Sequence, residues 1–199
     1  MTWTRRALLD VLEAVAGENP YHTTVWATMT ARTASIVGDT GWALRAARVG
    51  IAADPGFSFV FLGTYQRLAR CWAIALSSDD PGTTATVIDE AQRLIAANLL
   101  DPPRSCVATW YALLAEMYLA AESVEAAAKA LDRAQFYVDA FGQRYPEGLG
   151  LLVRARILNA RGESVGIVRA AADAAREFSA NHEAGLFVQR ADKFLAELG

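Results

Sequence analysis

Cysteine, histidine and lysine are nearly absent from this chain of 199 residues: each occurs twice, as Cys71 and Cys106, His22 and His182, and Lys129 and Lys193. The two cysteines lie in or beside apolar helical stretches without CxxC spacing, so neither a disulfide framework nor a thiolate metal site is expected. That points to a reducing compartment, and a cytoplasmic location is expected. The histidines stand far apart at expected helix starts, where capping or surface placement outweighs metal binding. No metal and no cofactor are expected. The scarcity of lysine leaves arginine as the main cation, which reflects coding bias more than function. Long apolar runs are missing too. Arg5 and Arg6 precede "ALLDVLEAVAG" in the manner of a signal peptide, but Asp10 and Glu13 interrupt it and no stretch reaches the length of a membrane span. A net charge of -3 and a pI near 5.4 argue against a nucleic-acid surface over the whole molecule.

What is present is helical periodicity. In "TWYALLAEMYLAAESVEAAAKALDRA" (109–134), Tyr111, Leu114, Ala115 and Tyr118 fall at i, i+3, i+4 and i+7 and share one helix face. Glu122-Ser123 breaks the pattern, and Ser123 is placed to cap a second helix in which Ala127, Leu131 and Ala134 share a face. Large residues at the ends of a face with alanine between them allow close helix approach. Upstream, Tyr65, Leu68, Ala69 and Trp72 in "TYQRLARCWAIA" repeat the spacing, followed through "SSDDPG" by a partner helix in "TTATVIDEAQRLIAAN". Earlier still, Ala27, Ala31 and Ala34 precede "GDTGWALRAA", with Thr40 read as the cap, and then Ala43, Ala47 and Gly50. Downstream, Leu151, Ala155 and Leu158 lead through "RGES" into an alanine-rich helix, with Arg154 where leucine is expected.

These units predict a single domain of four hairpins at 21–55, 57–99, 104–141 and 145–180, closed by end helices at 3–16 and 182–198. The run "FSFVF" (57–61) is read as the buried start of a helix, since it has no partner strand. The expected fold is all-α, a right-handed α-solenoid of about ten helices stacked as antiparallel hairpins. The chain starts directly in a helix, which fits either a free-standing protein or a fragment of a longer one.

The hairpin pattern resembles the tetratricopeptide repeat (TPR), W-x2-L-G-x2-Y followed by A-x3-F, with Tyr111, Ala115, Tyr118, Ala127 and Leu131 at the matching positions. The order "HTTVWA", "GDTGWALRAARVGIA", "WAIAL", "TWYALLAEMYLA", "LLVRARILNARGES" covers nearly the whole chain. It is similar to the C-terminal repeat region of large bacterial ATPase/adenylate-cyclase or LuxR-type signalling regulators. That resemblance implies a sensing or protein-contact region. The sequence has no GxxxxGK[ST] phosphate loop, no cyclase-like part and no evident DNA-binding segment, so the chemistry would lie elsewhere.

Residues following the small packing position of each first helix are expected to face a concave groove. They are Arg32, Arg70, Glu116 and Arg156, flanked by Thr28, Gln66, Asn159 and Ser35. Arginines there would grip a carboxylate-bearing peptide or ligand in two-pronged fashion. The competing reading is solvated charge on exposed helix stripes. Trp72 and Trp110 read as core, Trp26 as buried between hairpins, and Trp3 and Trp42 as exposed surface. Cys71 reads as an inert thiol. The carboxylates of "SSDDPG" read as loop charges that favour the next helix start, and the glycines of "EGLGLL" as a helix start with no nucleotide-binding role.

The expectation is therefore a non-enzymatic module for protein–protein contacts, with no catalytic residues. It would be the regulatory part of a bacterial signalling or transcription-regulating system. Its partner is a protein, a peptide or a neighbouring domain of the same polypeptide, not nucleic acid and not a membrane. The alternative is a small-molecule effector sensor, which would show a closed pocket with convergent polar groups.

Overall fold

The computed structural model describes residues 11, 13–17, 19–99 and 106–199. Among them no strand occurs, and residues 13–16 are helical. The rest of the expected end helix at 3–16, with Trp3, lies outside the described residues. Among the described residues nine further helices follow: α1 (Pro20–Val37), α2 (Thr40–Ala53), α3 (Val60–Ser77), α4 (Pro81–Leu99), α5 (Val107–Ala120), α6 (Val124–Phe141), α7 (Glu147–Ala160), α8 (Val165–Asn181) and α9 (Gly185–Glu197).

Local chemistry sets the breaks. Asn19 opens α1 by accepting from the backbone N–H of Tyr21 (3.0 Å), with Pro20 at the first helical position. Asp39, not Thr40, caps α2, accepting from Trp42 N–H at 2.8 Å; Thr40 is the first residue of the helix. Asp54, which ends α2, fixes the turn before α3 by accepting from the N–H groups of Ser58 (2.9 Å) and Phe59 (2.8 Å). Asp80 opens α4, its carboxylate accepting from Gly82, Thr83 N–H and the Thr83 hydroxyl (2.6 Å). Four joints end the preceding helix in the same way. A left-handed residue (Gly38, Glu122, Gly162, Glu183) is followed by an N–H that returns five residues, to Ala34, Tyr118, Leu158 and Ser179 respectively. Ser123 stands at the head of α6, but its hydroxyl makes no cap bond and donates to Ala121 O at 3.3 Å instead.

The expected faces pack as close helix pairs. Ala27, Ala31, Ala34, Ala43, Ala47 and Gly50 are all buried between α1, α2 and α3. At Gly50 a Cβ would lie 2.4 Å from the Gln66 side chain and 2.8 Å from Ala27 Cβ, so only glycine fits. Tyr65, Leu68, Ala69, Trp72, Leu114, Ala115, Ala127, Leu131 and Ala134 are likewise buried. Two readings need correcting. "FSFVF" is not a buried helix start: Phe57 adopts φ +58 in a turn, the helix starts at Val60, and Val60 is exposed. Trp42 is half-buried against the main core rather than exposed, and Trp26 is half-buried rather than fully so.

The helices form two layers. The odd-numbered ones stack side by side, α1 on α3, α3 on α5, α5 on α7 and α7 on α9, and α9 packs back on α1. The even-numbered ones lie outside, each bridging two inner neighbours. Because the hairpins are antiparallel, the five inner helices run parallel and close a ring with a start end and a finish end. The interior is filled by Tyr65, Trp72, Trp110, Leu113, Met117, Leu149, Val153 and Phe187, which belong to one continuous core. No described helix is long and apolar enough to cross a membrane.

Candidate functional site

The ring decides what the eight groove residues can do. Thr28, Ser35, Gln66 and Glu116 are buried at 0–3% exposure. The Thr28 hydroxyl donates to Thr24 O (2.8 Å), and Gln66 Nε2 donates to Thr24 O and Thr28 Oγ1. Gln66 packs against Gly50 between α1, α2 and α3 and Thr28 lies at the α1–α3 contact, while Glu116 and the Ser35 carbonyl are met by Arg190 of α9, so all four are internal contacts instead of open surface. The other four reach the surface in separate places. Arg70 donates to both oxygens of Glu90 on α4 at 2.6 Å. Arg32 stacks over the Tyr145 ring at 4.6 Å. Arg156 and Asn159 meet at the finish end of the ring.

That finish end holds a polar cluster. Arg190 of α9, itself buried, donates from Nη2 to Glu116 Oε1 and from Nη1 to Ser35 O (3.2 Å). Trp72 Nε1 donates to the other Glu116 oxygen at 3.0 Å. Arg156 Nη1 lies 3.9 Å from Glu116 Oε1, its guanidinium over the Phe194 ring at 5.3 Å. Two shallow cavities open here. One of about 280 Å³ is lined by Glu116, Arg156, Asn159, Phe194 and Glu197, and one of about 400 Å³ by Thr40, Arg156, Arg190, Lys193 and Glu197. Arg190 was missed by sequence reasoning. The signal was there: Phe187, Arg190, Ala191 and Phe194 share one stripe, and a charge on an apolar stripe implies a buried counter-charge.

The outer layer carries a second feature. On α6, Phe136 and Phe141 are about half exposed (50% and 48%) and pack on Tyr137, which stacks on Tyr111 of α5 at 5.8 Å. Arg133 lies 5.4–5.9 Å from the Tyr111, Phe136 and Tyr137 ring centroids. The result is an aromatic patch topped by a guanidinium.

The remaining candidates fall elsewhere. Burial pushes the Cys71 thiol up to about 12, so it is protonated and unreactive at neutral pH. His22 is in the first turn of α1; His182 ends α8 rather than starting a helix, with its ring stacked on Phe178. Among the described residues no group of three or more His, Cys, Asp or Glu is placed to hold a metal ion. Thr83 and the backbone of α4 hold the Asp80 carboxyl below its usual range. Comparison with protein-family models, with curated proteins and with solved structures returned no match.

Proposed function

We propose that this chain is a non-enzymatic, TPR-like helical module that makes protein–protein contacts in the cytoplasm, as the regulatory part of a bacterial signalling or transcription-regulating system. The partner is a separate protein or a neighbouring domain of the same polypeptide. The observation that carries the reading is the α6 patch. Phe136 and Phe141 expose large apolar area next to Arg133, and aromatic rings with arginine are the groups that concentrate binding energy in protein interfaces. Packing of both rings on Tyr137 holds their geometry, which lowers the ordering cost of association. The protonated Cys71 thiol and the separated histidines support a role without catalysis.

The test is a photo-crosslinking side chain at position 136 in the source cell. A discrete adduct that disappears on Arg133→Glu, with the helical circular dichroism unchanged, supports the reading. No adduct at position 136 or 141 counts against it. A second reading, effector sensing, is favoured by the cavities that open beside Arg156 and Arg190. It expects a rise in Tm with a small molecule rather than a polypeptide.

A further inference from the structure

The start end of the ring contains a cavity unlike those at the finish end. The residues leading into α7, its first turn, the end of α8 and the start of α9 enclose about 410 Å³. That is within the range of small-molecule sites, and its walls are largely aromatic. Tyr145 and Phe187 meet edge to face at 5.8 Å, and Phe178 stacks with His182 at 4.2 Å. The floor is Gly148, where a Cβ would lie 2.4 Å from Ser179 Oγ.

Two carboxylates, Glu147 and Glu183, stand among the polar groups of this lining. The Ser179 hydroxyl donates to Ala175 O at 2.7 Å. His182 Nδ1 lies 2.8 Å from Phe178 O, which it meets as a donor, leaving Nε2 an acceptor in the neutral ring. Glu183 has no ion-pair partner among the described residues. Glu147 Oε2 is buried without a hydrogen-bond partner. Its nearest cation, Arg144 Nη1, stands 3.6 Å away on a side chain that is 80% exposed. That is beyond hydrogen-bond distance, and a carboxylate oxygen without a donor is costly. Arg144 is held at this oxygen by no hydrogen bond, and most of its side chain lies in solvent.

We propose that this cavity binds a small organic amine: a protonated amino group carried on an apolar, ring-bearing body. The amino group displaces Arg144 and donates to Glu147, with Glu183 adding negative potential at the rim. The apolar body lies between Phe178 and Phe187, whose rings also favour a cation. The inference rests on the effector reading given second above and supplies its ligand class.

The experiment is a titration of the full chain, followed by amide resonances, with three probes of similar size: phenethylamine, phenylacetate and benzyl alcohol. Phenethylamine is expected to bind best and to shift Gly148, Phe178 and Phe187. Glu147→Gln should weaken it about tenfold, the loss of one charge-assisted hydrogen bond, without changing benzyl alcohol. Arg144→Ala should leave the fold intact and bind the amine at least as tightly. If Glu147→Gln does not fold, Glu183→Gln on the exposed turn takes its place and should weaken the amine alone. Phenylacetate binding as tightly as the amine overturns the proposal, as does unchanged affinity in the carboxamide variant. So does no binding of any probe up to about 10 mM. A Tm rise with some other small molecule whose shifts fall at Arg156 and Lys193 would overturn this cavity while keeping the effector reading.

Discussion

Arg190 of α9 donates to Glu116 of α5 across 74 residues of sequence, both side chains buried, and its other nitrogen reaches the Ser35 carbonyl of α1. One guanidinium thus ties α9 to α1 and to α5 in the middle of the ring. A buried ion pair is weak evidence for stability, but removing one partner strands the other charge away from water. Arg190→Ala should cost about 3–5 kcal/mol in urea unfolding, and replacing both residues, as Glu116→Leu with Arg190→Met, should recover most of that. A single variant that unfolds like the parent would mean that Glu116 finds its counter-charge in Arg156 alone.

Ala115 is fully buried where α5 meets its neighbours. Ala115→Leu should destabilise by about 1–3 kcal/mol through overpacking. Thermal unfolding reads this directly, and an unchanged Tm would mean that the helices separate more easily at this position than its burial implies.

Glu122 adopts φ +55 at the α5–α6 joint, where the equivalent joints at 38 and 162 carry glycine. Glu122→Gly should raise stability by about 0.5–1 kcal/mol, since relief of the left-handed strain exceeds the added entropy of the unfolded chain. A loss of stability would show that the Glu122 side chain contributes more than its backbone strain takes away.

The N–H of Phe59, with that of Ser58, holds the Asp54 carboxyl below its ordinary 3.8, and Asp80 is lowered in the same direction. A folded carboxyl that binds its proton less tightly leaves the unfolded chain holding more protons, so stability rises with pH through this window. The contribution is present above about pH 5 and is lost as the pH falls below the ordinary carboxyl range. Asp54→Asn with Asp80→Asn should flatten the acid limb of a pH series of urea midpoints. An acid limb as steep as the parent's would place the titrating groups elsewhere.

Cys71 is fully buried, whereas Cys106 is half-buried at the head of α5. A thiol reagent should therefore label Cys106 first and reach Cys71 only at the rate of unfolding. Equal labelling rates for the native protein would indicate local opening of α3.

The helical class and the packing faces were legible because they depend on short-range spacing. Tyr65, Leu68, Ala69 and Trp72 had to share a face whatever the rest of the chain did, and the break at Glu122-Ser123 is where α5 gives way to α6. Caps were less so. Asp39 and Thr40 are both capping types, and only the carboxylate's reach to Trp42 N–H decides between them. The inner surface was half legible. Of the positions after the packing alanine, Glu116 is buried but Arg70 pairs with Glu90 on α4, and spacing within one helix carries no information about whether α9 returns to α1. That contact is long-range, and it is what makes Glu116 and Ser35 internal. The start-end cavity was not legible at all, since Glu147, Phe178 and Phe187 come from three helices.

An open stack of hairpins tolerates gene duplication: another unit slots in and the remaining interfaces are unchanged. This ring does not. A further inner helix inserted between α1 and α9 would carry Arg190 out of reach of Ser35 and break the contact that joins the two. Between α1 and α9 the number of inner helices is therefore constrained by α9 meeting α1, whereas the outer helices and loops are not held by that contact.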